Sequence, residues 1–220
     1  MKKILLLTLL PVAAMAAPSL KGFEKTYQDW DLICDNTGTC NMAGYQEEGD
    51  GSEHSVSILF TRSAGEQAPV TAQLALLPDE LSNKTAEIIL NGQSLGTIQN
   101  FSEDGNAKLS EKQTTELLTA LKGNASIEVI FGEFKEKVSD KGAAAAMLKM
   151  DEFQQRLNTP SALIRQGQEK HAVLAPQAVQ KIEAVSVKKR QTTELKRGEK
   201  QFDAVLALLR KSNGTNEDAE

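Results

Sequence analysis

The chain has 220 residues, 40% of them hydrophobic and 25% charged, the balance of an ordinary folded protein with room for one good-sized domain and an extension. Fibrous, collagenous and wholly disordered classes are excluded. Thirty acids against 25 bases leave a net charge of −5, which argues against a nucleic-acid binder, because such a domain needs enough cationic surface to neutralise phosphates.

Residues 1–16 carry the pattern of a cleaved secretory signal: Lys2 and Lys3, an apolar run from Ile4 to Leu10, and the small-residue site Ala14-Met15-Ala16. Cleavage before Ala17 is expected to leave a mature chain of residues 17–220. The apolar run falls short of the ~20 residues that a membrane span needs, and no later stretch reaches that length, so no transmembrane anchor is expected. Export out of the cytoplasm is therefore expected. Export also decides how the two cysteines read, since thiols in an oxidising compartment pair. Cys34 and Cys40 flank Asp35-Asn36-Thr37-Gly38-Thr39, a turn-rich segment between two strand-like runs, and can meet across a hairpin as a structural disulfide. A redox pair is disfavoured by the C-x5-C spacing and by the lack of a helix N-terminus that would lower a thiol pKa.

From Phe23 to about Ala75 the apolar residues alternate or form short runs, as in Trp30-Asp31-Leu32-Ile33-Cys34 and Ser55-Val56-Ser57-Ile58-Leu59-Phe60, which predicts strands. Further strands are expected at Val70 to Leu77, Ala86 to Leu90 and Gln93 to Ile98, with Asn91-Gly92 as a two-residue hairpin turn. Ser110 followed by Gln113 predicts a capped helix whose buried stripe is Leu117, Leu118 and Leu121, ended by Gly123. Ser126 to Phe131 returns to strand. A second helix from near Asp140 places Ala143, Met147, Met150, Phe153 and Leu157 on one face, suited to lie on a sheet as core. The expected fold class is α+β: an antiparallel β-sheet or sandwich with two packed helices, followed by a helical or flexible C-terminal arm.

Composition shifts after Thr159-Pro160. Nine of the ten aromatic residues lie between Phe23 and Phe153. Residues 17–159 hold 12 bases and 22 acids, net −10, whereas residues 160–220 hold 11 bases and 8 acids, net +3. The expected organisation is a signal peptide over residues 1–16, a β-rich globular domain over 17–165 and a basic arm over 166–220. Within the arm, Pro176 suits the first turn of a helix through Val187, and Gln201 to Lys211 is amphipathic through Phe202, Val205, Leu206 and Leu209.

The block Asp29-Trp30-Asp31-Leu32-Ile33-Cys34-Asp35-Asn36-Thr37-Gly38-Thr39-Cys40 with Gly44-Tyr45, and the block Ser139-Asp140-Lys141-Gly142-Ala143-Ala144-Ala145-Ala146-Met147-Leu148-Lys149-Met150-Asp151-Glu152-Phe153-Gln154, followed by Arg156 and Thr159-Pro160-Ser161-Ala162-Leu163, resemble DUF1176, a family of exported bacterial proteins of unknown function. The resemblance covers residues 23 to 167, and its W-x-x-x-C-x5-C block is the more specific part. A weaker likeness is to the invasion-associated IalB-like proteins. Members of DUF1176 usually continue into a second half with further cysteines, so the resemblance implies either a shortened member or the product of a truncated reading frame, the basic arm in that case being the stump of an inter-domain linker. It implies a periplasmic β-rich domain and supplies no activity.

Chemistry has few places to reside. His54 follows Glu47, Glu48, Asp50 and Glu53, but no nucleophile elbow accompanies it, and the loop fails the spacing of a calcium site. No catalytic residue, metal ligand or cofactor motif is assigned. Adjacent acids such as Asp151-Glu152 do not face each other as a glycosidase pair would. The basic run Lys188-Lys189-Arg190 is interleaved downstream with Glu194 and Glu199, a poor pure-electrostatic patch that reads first as a solvated linker; the alternative, after export, is binding to anionic lipid, peptidoglycan or an acidic partner protein. The residues singled out for partner binding are therefore Glu48, Asp50, Glu53, His54, Lys188, Lys189 and Arg190. The expected function is a non-enzymatic periplasmic module that binds another envelope protein, one version being an inhibitor or immunity-type protein. The rival expectation is a hydrolase of envelope polymers acting through loop carboxylates.

Overall fold

A computed structural model describes residues 20–46, 55–76 and 85–179. The chain divides into two units, residues 1–179 and 180–220, and the described residues all belong to the first. Among them are ten strands and two helices: β1 (Phe23–Tyr27), β2 (Trp30–Cys34), β3 (Cys40–Tyr45), β4 (Val56–Arg62), β5 (Val70–Leu76), β6 (Ala86–Leu90), β7 (Gln93–Ile98), β8 (Asn106–Lys108), α1 (Glu111–Ala120), β9 (Ile127–Phe131), β10 (Phe134–Val138) and α2 (Ala143–Phe153). The strands form two antiparallel sheets, one of order β1-β2-β3-β4-β5-β8 and one of order β10-β9-β6-β7. This is the α+β arrangement that the alternation of apolar and polar residues predicts.

Period-two alternation explains which side of each strand is hidden. Trp30 and Leu32 on β2, Met42 on β3, Val56, Ile58 and Phe60 on β4, and Leu74 and Leu76 on β5 are all buried. Ile88, Ile127, Val129 and Phe131 of the second sheet share the same apolar core. A bridge between Gln46 and Val138, and the bond from Ser139 N to Tyr45 O (2.9 Å), tie the two sheets at one corner. Trp30 lies at the centre, its ring 6.0 Å from that of Phe60 and its indole N–H donated to the Ser139 carbonyl at 2.9 Å.

Three local signals read in the sequence take the predicted form. Asn91 and Gly92 turn β6 into β7 with φ of 51° and 81°, the left-handed pair a tight hairpin demands. Ser110 caps α1 with a capping box: its hydroxyl accepts from Gln113 N at 3.2 Å, while Gln113 Oε1 accepts from Ser110 N at 2.9 Å. Cys34 and Cys40 are joined by a disulfide (S–S 2.05 Å) and pair directly across the β2–β3 hairpin.

Helix α2 buries Ala143, Ala146, Met147 and Met150 against the first sheet, and Phe153 meets Phe23 with ring centroids 6.4 Å apart. Its first residue is Ala143, with Gly142 as the N-cap, a short step beyond the start near Asp140 that the sequence suggests. Gly142 adopts φ 97°, and a Cβ there would sit 1.8 Å from the Tyr27 carbonyl oxygen, so the β1–β2 turn presses on the helix entry where only glycine fits. Asp140 lies outside the helix, accepting the Ala125 N–H at 2.7 Å. The Phe153 end gives way to residues 154–179, which carry neither helix nor strand.

That last segment is nevertheless fastened to the body. Gly167 N donates to Thr159 O, Leu174 N to Gln154 O, Gly65 N to Leu174 O, and Gln177 N to Thr37 O, at 2.9 to 3.2 Å. It thus straps the α2 end, the β4–β5 turn and the disulfide hairpin turn into one pole. No helix among the described residues is long and apolar enough to cross a membrane.

Candidate functional site

The strapped pole gathers charged side chains that the sheets bury. Arg62 ends β4 on the inward side, and Asp151 lies on the inward face of α2; their side chains are nearly solvent-free and meet at 3.3 Å. Asp151 Oδ2 also accepts the backbone N–H groups of Leu163 (2.7 Å) and Ile164 (3.0 Å). A second guanidinium, Arg156, is equally hidden and donates to Gln154 Oε1, Ser161 Oγ and the carbonyls of Gly65 and Glu66. Gln154 completes the knot by donating to both Gly38 O and Arg62 O at 2.9 Å.

Burial governs the electrostatics. It lowers the Arg62 pKa to about 10, helped by the like charge of Arg156 and opposed by Asp151. Burial also lowers Arg156 and raises Asp151, the latter against the Leu163 and Ile164 N–H groups and both arginines. Two guanidiniums share one buried carboxylate, and the balance is met by main-chain carbonyls.

Beside the knot a cleft of about 620 Å³ opens between Glu66, Gln67, Thr159, Pro160, Ser161 and the strap residues Glu169 to Val173. Its chemistry is occupied with structure. Ser161 Oγ is engaged by Arg156 (2.9 Å) and lies 3.1 Å from Thr159 Oγ1, while His171 spends Nε2 on Gln155 O (2.9 Å) and Nδ1 on Glu169 (3.3 Å). Nucleophile and base are therefore not paired here as acyl transfer requires. Among the described residues no group of three or more His, Cys, Asp or Glu side chains is placed to hold a metal ion.

The other feature is the outward face of the six-stranded sheet. Opposite the buried row, Asp31, Ile33, Asn41, Ala43, Tyr45, Ser57, Leu59, Thr61, Thr71 and Gln73 point away from the core, and none of them is buried. Ile33 is 48% and Tyr45 44% exposed, values that large apolar side chains reach on a face that no described element covers. Ala43 pairs directly with Leu59, and Ile33 and Tyr45 flank that pair on the diagonals, so the four form one apolar patch bounded by hydroxyl and amide groups and, beside Ala43, by the Asp31 carboxylate. Tyr45 donates its hydroxyl to Asp31 Oδ2 at 3.2 Å; partial burial, then the Asp31 charge and this bond, push its pKa up.

Of the residues that the sequence singles out, Cys34 and Cys40 form the disulfide, whereas Glu48, Asp50, Glu53, His54, Lys188, Lys189 and Arg190 lie outside the described residues. Glu48 to His54 belong to the connection between Tyr45 on β3 and Val56 on β4, and so join the strand ends beside the exposed tyrosine. Asp151 and Glu152 do diverge: Asp151 is fully buried and Glu152 is exposed. Neither the buried arginine knot nor the apolar patch is visible in the sequence, because the knot joins a strand end, a helix face and the strap, and the patch needs the register of three neighbouring strands. The comparison with curated proteins and that with solved structures each found no match. A family model described as a protein of unknown function, DUF1176, matches residues 24–219.

Proposed function

Since the chain belongs to the DUF1176 family, a family defined without an activity, its surface must carry the functional reading, and we propose that it is an exported periplasmic module that binds another envelope protein through the open face of its six-stranded sheet. The observation that carries this reading is the patch formed by exposed Ile33 and Tyr45 with half-buried Ala43 and Leu59, on the open face of a sheet whose opposite side forms the core. A contiguous apolar patch rimmed by polar groups is the surface that protein interfaces favour, and a tyrosine beside it is a frequent energetic anchor. Export is supported by the leader-like residues 1–16 and agrees with the Cys34–Cys40 disulfide. An inhibitor of a wall-degrading enzyme is one form that such a module takes.

The test is capture of partners by residues 17–220 from an envelope extract, in parallel with Ile33→Lys. A stoichiometric protein held by the wild type and lost from Ile33→Lys is the expected result. The hydrolase reading is favoured only by the cleft, which brings Glu66 and Glu169 to one opening. Recovery of glycan fragments instead of a protein, together with turnover of wall polymers that Glu66→Gln or Glu169→Gln removes, would reverse the preference.

A further inference from the structure

The register of the open face places unlike groups along one line across all six strands. Thr26 pairs with Asp31, Asp31 with Ala43, Ala43 with Leu59, Leu59 with Gln73, and Gln73 with Lys108. Their side chains share the outward face, because the alternate residues Leu32, Met42, Phe60, Leu74 and Ala107 are buried. Four strand spacings separate Asp31 from Lys108, about 19 Å. The line therefore runs from a carboxylate, over an apolar centre and an amide, to an ammonium.

Both charged ends lack a counter-charge among the described residues. Asp31 is fixed by neutral donors only, Thr26 Oγ1 at 2.6 Å on Oδ1 and Tyr45 OH at 3.2 Å on Oδ2, and it enters none of the described ion pairs. Lys108 likewise has no described ion pair or side-chain hydrogen bond. The neighbours of Asp31 on this face are Thr26, Ala43, Glu24, Ile33, Asn41 and Tyr45, with no cation. A carboxylate pre-oriented by two hydroxyls beside an exposed aromatic ring is suited to an arginine, whose planar fork bonds the carboxylate while its face stacks on the ring.

We infer that the face docks a segment of a partner protein whose own charges run in the opposite sense: an arginine or lysine seated on Asp31 and Tyr45, apolar side chains over Ala43 and Leu59, and a carboxylate reaching Lys108. This rests on the binding-module reading and names the chemistry and polarity of its partner. The polarity fixes orientation, since the reversed segment would set like charges together at both ends.

A photo-crosslinking residue at Gln73, in the middle of the line, tests this in cells producing the full chain, with the same residue at Lys135 on the outer face of the other sheet as control. The crosslinked peptide from position 73 is expected to contain a basic residue, and position 135 is expected to give no such product. With the partner thus identified, Asp31→Asn is expected to weaken binding by roughly tenfold or more and to flatten its salt dependence, with a smaller loss for Lys108→Gln. Each variant is checked to melt with the wild type, and Tyr45→Phe serves as a second, isosteric probe of the same corner. If Ile33→Lys abolishes binding while Asp31→Asn stays within about twofold of wild type, the charge pairing is overturned and the open-face reading stands. If position 73 gives no crosslink and Ile33→Lys still binds, the open face is not the interface and both fall.

Discussion

The contact between Trp30 and Gly44 offers a sharp test of how the core is packed. Gly44 pairs with Trp30 across β2 and β3, and a Cβ at Gly44 would lie 2.3 to 2.5 Å from Cζ2, Cε2 and Cη2 of the indole. These atoms are central to the core, for Trp30 is fully buried. Gly44→Ala is therefore expected to cost about 1 to 3 kcal/mol through overpacking. Trp30→Phe is expected to cost a similar amount, because it strands the Ser139 carbonyl that now accepts the indole N–H and leaves a void. Phenylalanine lacks the fused six-membered ring that the new methyl would strike, so the double variant should recover about 1 to 2 kcal/mol relative to the sum of the singles. In a body of this size that corresponds to roughly 2 to 8 °C in melting temperature. Urea unfolding followed by far-ultraviolet circular dichroism measures all four proteins, since Trp30 is the only tryptophan and its fluorescence disappears with it. Additivity of the two substitutions to within about 0.5 kcal/mol would refute the proposed contact.

Reducing the Cys34–Cys40 disulfide is expected to lower stability by about 2 kcal/mol while the circular dichroism spectrum at room temperature is kept; an unchanged melting curve in reductant would count against the staple. Burial alone would raise the Asp35 carboxyl, but hydrogen bonds from the Thr37 side chain and backbone, Thr39 and Gly38 outweigh it and hold the pKa below its ordinary value. Stability from Asp35 is therefore present above the unfolded carboxyl pKa and lost as pH falls through the folded one. The deficit of Asp35→Ala measured at pH 7 should shrink below about pH 4, and a deficit independent of pH would contradict this. Chains ended after Arg165 and after Val179 are both expected to unfold cooperatively, the shorter at lower temperature because it lacks the bonds of Gly167, Leu174 and Gln177; equal melting temperatures would show that the strap adds nothing.

What the sequence made legible was local. Asn91-Gly92, the Ser110/Gln113 box and the Cys34/Cys40 hairpin each depend on residues a few positions apart, and each appears as read. Two strands escaped it. The sequence Phe134-Lys-Glu-Lys-Val138 reads as a charged surface stretch, yet it forms β10 because every residue pairs with β9. The segment Asn106–Lys108 looks like the tail of a turn and becomes β8 only through its bonds to β5. The turn between β1 and β2 also lacks a glycine, Gln28 taking φ 53° in its place. Arg62, Asp151 and Arg156 resemble ordinary surface charges because nothing near them in sequence reveals that a strand end, a helix face and a strap will enclose them. The line from Asp31 to Lys108 is hidden for the same reason: its members come from five strands, and only the register aligns them.

The arginine knot has a consequence for which changes the pole can absorb over evolutionary time. Arg62 and Arg156 take hold of the carbonyl oxygens of Gly65, Glu66, Ala68 and Ser161, groups that every amino acid supplies. Side chains at positions such as 66 and 68 are thus free to drift without loosening the grip. A residue added to or removed from the β4–β5 connection would instead carry those oxygens out of reach, leaving two cations sealed in with one carboxylate. Relatives that keep both arginines should therefore hold this connection to a constant length while its composition wanders.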